Sequence, residues 1–137
     1  MMKKKAMGFV VAVVLVIGIV LSVALASDYY NSDSFTILNR GFTVRCWISE
    51  DCMRAGAWTT GGTSTYNKVW ATYYWSDPVT QESDTIPDYL YSAISASVSS
   101  SSLEGTGRHY WKVVSDHKGE YGGASETRYN LTVTIGN

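Results

Sequence analysis

Histidine, cysteine and proline are nearly absent: each occurs twice in 137 residues, and charged side chains make up only 17% of the chain. With His109 and His117 as the only imidazoles, little histidine chemistry is available. Serine and aspartate are frequent enough for a Ser-His-Asp triad to be drawn around either one. Neither, however, lies in a Gly-x-Ser-x-Gly elbow or any other nucleophile context. His109 therefore reads as a packed or surface strand residue beside Trp111, and His117 as a solvated turn residue. Two cysteines without a nearby histidine cannot complete a zinc site. The acidic stretch with Asp77, Glu82, Asp84 and Asp88 supplies at most four carboxylates in no EF-hand spacing, whereas calcium wants roughly six to eight oxygens. No pair of carboxylates is marked out for glycoside hydrolysis. The expectation is a protein without metal or cofactor that is not an enzyme.

What is present begins with Met1-Met2-Lys3-Lys4-Lys5, followed by a run from Ala6 to Ala26 that is uncharged over 21 residues. A basic head, an apolar middle and the small-x-small end Ala24-Leu25-Ala26 read as a secretory signal peptide cleaved after Ala26. The run is also long enough to span a bilayer, so an uncleaved anchor with the domain outside is the alternative. Residues 27–137 then form a single exported domain, with any membrane contact through the N-terminal segment alone. The lysine-rich start points to a bacterial exported protein, in which the glycosylation sequon Asn130-Leu131-Thr132 is silent. Losing Lys3, Lys4 and Lys5 takes 11 Lys+Arg to 8 against 12 Asp+Glu, a formal charge of −4. That balance disfavours nucleic acid, which needs a positive footprint.

Cys46 and Cys52 bracket Trp47-Ile48-Ser49-Glu50-Asp51, and outside the cell so close a pair predicts a disulfide tying a hairpin. Serine and threonine supply 29 of the 111 residues after Ala26, and aromatics 17, a composition of hydroxyl-rich strands. Period-two alternation marks Phe35–Leu38, Phe42–Ile48, Cys52–Trp58, Tyr66–Trp75, Leu90–Ser99, Arg108–Ser115 and Thr127–Ile135. Ser27–Ser34 reads as a polar lead-in, Thr59–Thr65 as a flexible loop and Asp77–Tyr89 as an irregular acidic segment. In the last strand Tyr129, Leu131, Val133 and Ile135 should face inward and Arg128, Asn130, Thr132 and Thr134 outward. Six to seven short strands without an amphipathic helix predict an all-β antiparallel sandwich, immunoglobulin-like or jelly-roll-like, with a small β-barrel as the alternative. No repeat of propeller or solenoid length is visible.

The most informative stretch is Lys68-Val69-Trp70-Ala71-Thr72-Tyr73-Tyr74-Trp75. Alternation places Val69, Ala71, Tyr73 and Trp75 on one face and Lys68, Trp70, Thr72 and Tyr74 on the other. The first face suits a core. The second presents rings where the other strands present serines or charges. It is the expected ligand face, with Trp70 and Tyr74 as platform rings and Lys68 and Thr72 as polar partners. The functional expectation is a non-catalytic module binding carbohydrate or a cell-surface protein. The alternative is a secreted bacteriocin-like protein acting on a competitor's envelope, although the acidic balance is opposite to that of most membrane-directed peptides.

Overall fold

A computed structural model of the chain describes residues 28–76, 82–92 and 94–136. The segment expected to be a signal peptide, with Ala24 and Ala26, lies outside the described residues, as does Asp77. Among the described residues there is no helix long and apolar enough to cross a membrane. Eight strands follow one another: β1 (Tyr29–Ile37), β2 (Arg40–Ile48), β3 (Ala55–Thr60), β4 (Tyr66–Ser76), β5 (Ser83–Ser92), β6 (Ser95–Ser99), β7 (His109–Tyr121) and β8 (Ala124–Thr134). They form two four-stranded sheets, ordered β1-β2-β3-β6 and β5-β4-β7-β8, with every pairing antiparallel. The fold is an antiparallel β-sandwich.

Alternation builds the interior. Cys46 and Ile48 of β2, Ala55 and Ala57 of β3, Val69, Ala71 and Tyr73 of β4, Ala96 and Val98 of β6 and Val113 of β7 face inward and pack together. A second cluster of Phe35, Ile37, Phe42 and Val44 fills one end. There the Phe35 and Phe42 rings stack at 5.0 Å and 8°. Phe42 fits because Gly61 and Gly119 lie against it; a Cβ at either would come within 2.3 and 2.6 Å of the ring. The other end is closed by the loop after β6. Leu103 is buried, its amide donates to the Met53 carbonyl at 3.0 Å, and the Tyr110 hydroxyl donates to the Ser101 carbonyl at 2.9 Å.

Several expectations are corrected. The expected strand Leu90–Ser99 is two strands: β5 ends at Ser92 in one sheet and β6 starts at Ser95 in the other, leaving Ile94 58% exposed between them. An unbroken alternation in sequence does not register a step from sheet to sheet. Most of the expected acidic loop is β5 instead, and Pro87 is accommodated because β5 is an edge strand. The polar lead-in is the first half of β1, held by its ladder to β2 although exposed. Thr59 and Thr65, expected in a flexible loop, are buried.

The disulfide expected between Cys46 and Cys52 is not made; both are free thiols. Cys46 points into the core, its Sγ 3.6 Å from the Leu131 carbonyl oxygen, while Cys52 sits in the turn beyond Ile48. Two strand residues at about 3.3 Å each put the Cys46 Cα about 7 Å short of that turn, already at the limit of disulfide reach. Burial raises both thiols above their ordinary pKa.

The last strand also departs from simple alternation. The register of β8 against β7 shifts between Ser115 and His117, with Asn130 at φ 57°. This bulge turns Tyr129 out to 72% exposure and brings Arg128 to the inner side, where its guanidinium lies 5.0 Å from the Phe35 ring centroid and 3.2 Å from Asp33 of β1. A single extra residue exchanges the faces expected for Arg128 and Tyr129, while Leu131, Val133 and Ile135 pack inward as expected.

Candidate functional site

The outer face of the second sheet is built on β4, an interior strand between β5 and β7. Its inner row Val69, Ala71 and Tyr73 is buried, so pleating sends Lys68, Trp70, Thr72 and Tyr74 to the opposite face, where all four are half-buried. The structure therefore brings the four expected site residues onto one surface row. Trp70 and Tyr74 are four residues apart, about 13 Å along the strand.

The neighbouring strand adds to this row. Antiparallel register sets Lys118 opposite Lys68, Asp116 opposite Trp70, Val114 opposite Thr72 and Lys112 opposite Tyr74. A bulge between Tyr74 and Trp75 then leaves Trp111 without a partner on β4. Alternation alone put Trp111 and Lys112 on opposite faces; the bulge brings both against Tyr74. The Tyr74 and Trp111 rings meet edge to face at 5.8 Å, and the Lys112 ammonium lies 5.1 Å from the first and 5.9 Å from the second. Lys68 lies 4.6 Å over Trp70. Each lysine thus lies against a π face, which limits the side-chain freedom that a ligand would otherwise have to remove. Lys118 pairs with Glu120 at 3.1 Å, and Asp116 accepts the Asn130 amide at 2.8 Å.

The chemistry this row offers is stacking and hydrogen bonding. Among the described residues no group of three or more histidine, cysteine or acidic side chains is placed to hold a metal ion. His109 is an exposed residue at the start of β7. His117 is not the solvated turn residue expected. It lies in mid-β7, fully buried, with Nδ1 2.8 Å from Thr59 Oγ1 and Nε2 2.7 Å from Ser115 Oγ. Thr59 also donates to the Lys68 carbonyl at 3.1 Å and Ser115 to the Leu131 carbonyl at 3.3 Å, so each hydroxyl bridges the imidazole to a backbone carbonyl. Desolvation pulls the imidazole down from 6.5 to about 4, against a smaller opposing effect of Asp116. This serine–histidine–threonine array is sealed between the sheets, where its hydrogen bonds satisfy polar groups that would otherwise be costly.

Lys68–Trp75 is not, however, the only strand presenting rings outward. On the first sheet Trp47 and Trp58 are also half-buried on the outer side, with Tyr30 54% exposed and Arg45 between Tyr30 and Trp58. The signal was present in the alternation of Thr43, Arg45 and Trp47, but the ring from β3 and the ring from β1 join it only through pairing. Comparison of the chain with protein-family models and with curated proteins finds no match in either.

Proposed function

We propose that this chain is an exported, non-catalytic binding module whose ligand face is the outer side of the second sheet, taking carbohydrate at or outside the cell surface. The observation that carries this reading is the half-open row of Trp70, Tyr74 and Trp111 with Lys68 and Lys112 lying against the rings. Flat rings held on a rigid sheet offer contact area at small entropic cost, and Thr72 with the two ammonium groups offers polar partners for hydroxyls. Export rests on the N-terminal run from Met1 to Ala26. A protein partner on the same row is the competing occupant, and envelope-directed killing the competing activity.

The test is titration of the purified domain with a panel of neutral oligosaccharides and with cell-wall fragments, read by tryptophan fluorescence and calorimetry, alongside a growth-inhibition assay. Saturable binding should weaken at least tenfold in Trp70→Ala and in Tyr74→Ala, the loss of one stacked ring being worth about 1–2 kcal/mol. Binding that survives both substitutions, or growth inhibition without any glycan binding, would remove this reading.

A further inference from the structure

The opposite face of the sandwich presents a different arrangement. Among the outward strand positions of the first sheet, Arg45 is the only charged residue, surrounded by serines, threonines and rings. Its guanidinium carbon lies 4.2 Å from the Tyr30 ring centroid and 5.4 Å from that of Trp58. Next along β2, Trp47 lies over Gly56, where a Cβ would come within 2.6 Å of the indole. Removing that one side chain is what lets the ring lie down on the sheet. Beside Trp58 a shallow depression of about 300 Å³ runs to Ser95 and Ser97 on β6.

What sets Arg45 apart is its missing counter-charge. Among the described residues no carboxylate is within salt-bridge distance of it, although acidic residues outnumber basic ones in the chain. Its Nε is buried without a hydrogen-bond partner. A buried N–H left unmatched is costly, and such groups need a reason to persist. Rings on either side hold the planar guanidinium in place; the buried Nε is out of a ligand's reach, and the two terminal NH2 groups are the ones left to pair a carboxylate with two parallel hydrogen bonds. Stacking rings with flanking hydroxyls suit a sugar; an unpaired fork among them suits a sugar that carries a carboxylate.

We propose that the outer face of the first sheet is a second carbohydrate site, selective for uronic-acid units, with Arg45 pairing the carboxylate and Trp58 stacking under the ring. This inference is independent of the reading given for the second sheet, because the two faces lie on opposite sides of the sandwich. The probe is oligogalacturonate, compared with its methyl-esterified form, which keeps the sugar chain and loses the charge, and with free galacturonate, which keeps the carboxylate and loses the chain. The wild-type domain should bind the oligomer saturably, the ester at least tenfold more weakly, and the monomer more weakly than the oligomer. Arg45→Met should abolish binding and Arg45→Lys weaken it at least tenfold, since an ammonium cannot make the bidentate pair. Trp58→Ala should also weaken it, and Leu38→Ala, at an exposed position in the turn between β1 and β2, should leave it unchanged. No saturable binding of the oligomer, equal binding of acid and ester, or unchanged affinity in a folded Arg45→Met variant would overturn the proposal. The acid–ester contrast uses the unaltered protein, so equal binding overturns the proposal even where a variant fails to fold.

Discussion

β4 and β7 each have an inner and an outer row, and the two rows divide the side chains against size. The inner rows hold Val69, Ala71 and Tyr73 beside His117, Ser115 and Val113, all buried. The outer rows hold Trp70 and Tyr74 beside Asp116 and Lys112, all half-buried. All five tryptophans are half-buried, whereas the largest sealed side chains are Tyr73, Tyr110 and Phe42. Two sheets about 10 Å apart leave space for alanine, valine and a few rings, so Trp75 packs only partly against the core and Trp47, Trp58, Trp70 and Trp111 lie on the outer faces. A large aromatic residue in a thin sandwich is therefore a poor marker of the core. In this chain it is a better marker of the surface.

The comparison breaks most easily at its inner edge. Gly119 is on the inner row of β7 opposite Asn67, with the Phe42 ring against it. Phe42→Ala should cost about 3–5 kcal/mol in denaturant unfolding, and Gly119→Ala about 1–3 kcal/mol by overpacking. Phe42→Leu in the Gly119→Ala background should be less than additive; strict additivity would mean that the glycine does not serve the ring.

His117 gives the next largest effect. Its folded pKa of about 4 lies below the ordinary 6.5, so the unfolded chain binds the extra proton between those values. Its contribution, about 3 kcal/mol, is complete above pH 6.5 and is lost as pH falls toward 4. Unfolding free energies across that window should slope downward in the wild type and less steeply in His117→Gln, which has no proton to gain. Parallel slopes would show that the buried imidazole is not responsible.

The smallest stability effect belongs to the outer row. Trp70→Ala and Tyr74→Ala should each cost about 1 kcal/mol or less, as for other substitutions away from the core. A loss matching that of Phe42→Ala would turn these rings from a ligand platform into a structural cover.

Much of the fold was legible in the residues. Tyr66–Trp75 and Phe42–Ile48 were recognisable because period two is a local property, and the faces assigned to Lys68–Tyr74 hold in three dimensions. What was not legible came from three non-local events. The step between Ser92 and Ser95 moves the chain between sheets. The bulge opposite Tyr74 and Trp75 and the bulge at Tyr129–Asn130 invert faces by one residue, placing Trp111 beside Lys112 and bringing Arg128 inward. The depth of His117 followed the same logic: Ser115 is its neighbour two residues along β7, but nothing in Asp116-His117-Lys118-Gly119 announces a buried strand, because Thr59 reaches it only when the two sheets pack face to face.

By itself the sequence determined the all-β class, the alternation of the central strand and the set Lys68, Trp70, Thr72 and Tyr74 as one row, since these follow from local geometry repeated every two residues. Only the tertiary structure decided that Trp111 and Lys112 join that row, that Cys46 is sealed away from Cys52, and that Arg45 stands between rings from two other strands without an acid. Those facts depend on register, and register is set by which surfaces the whole sandwich can bury together.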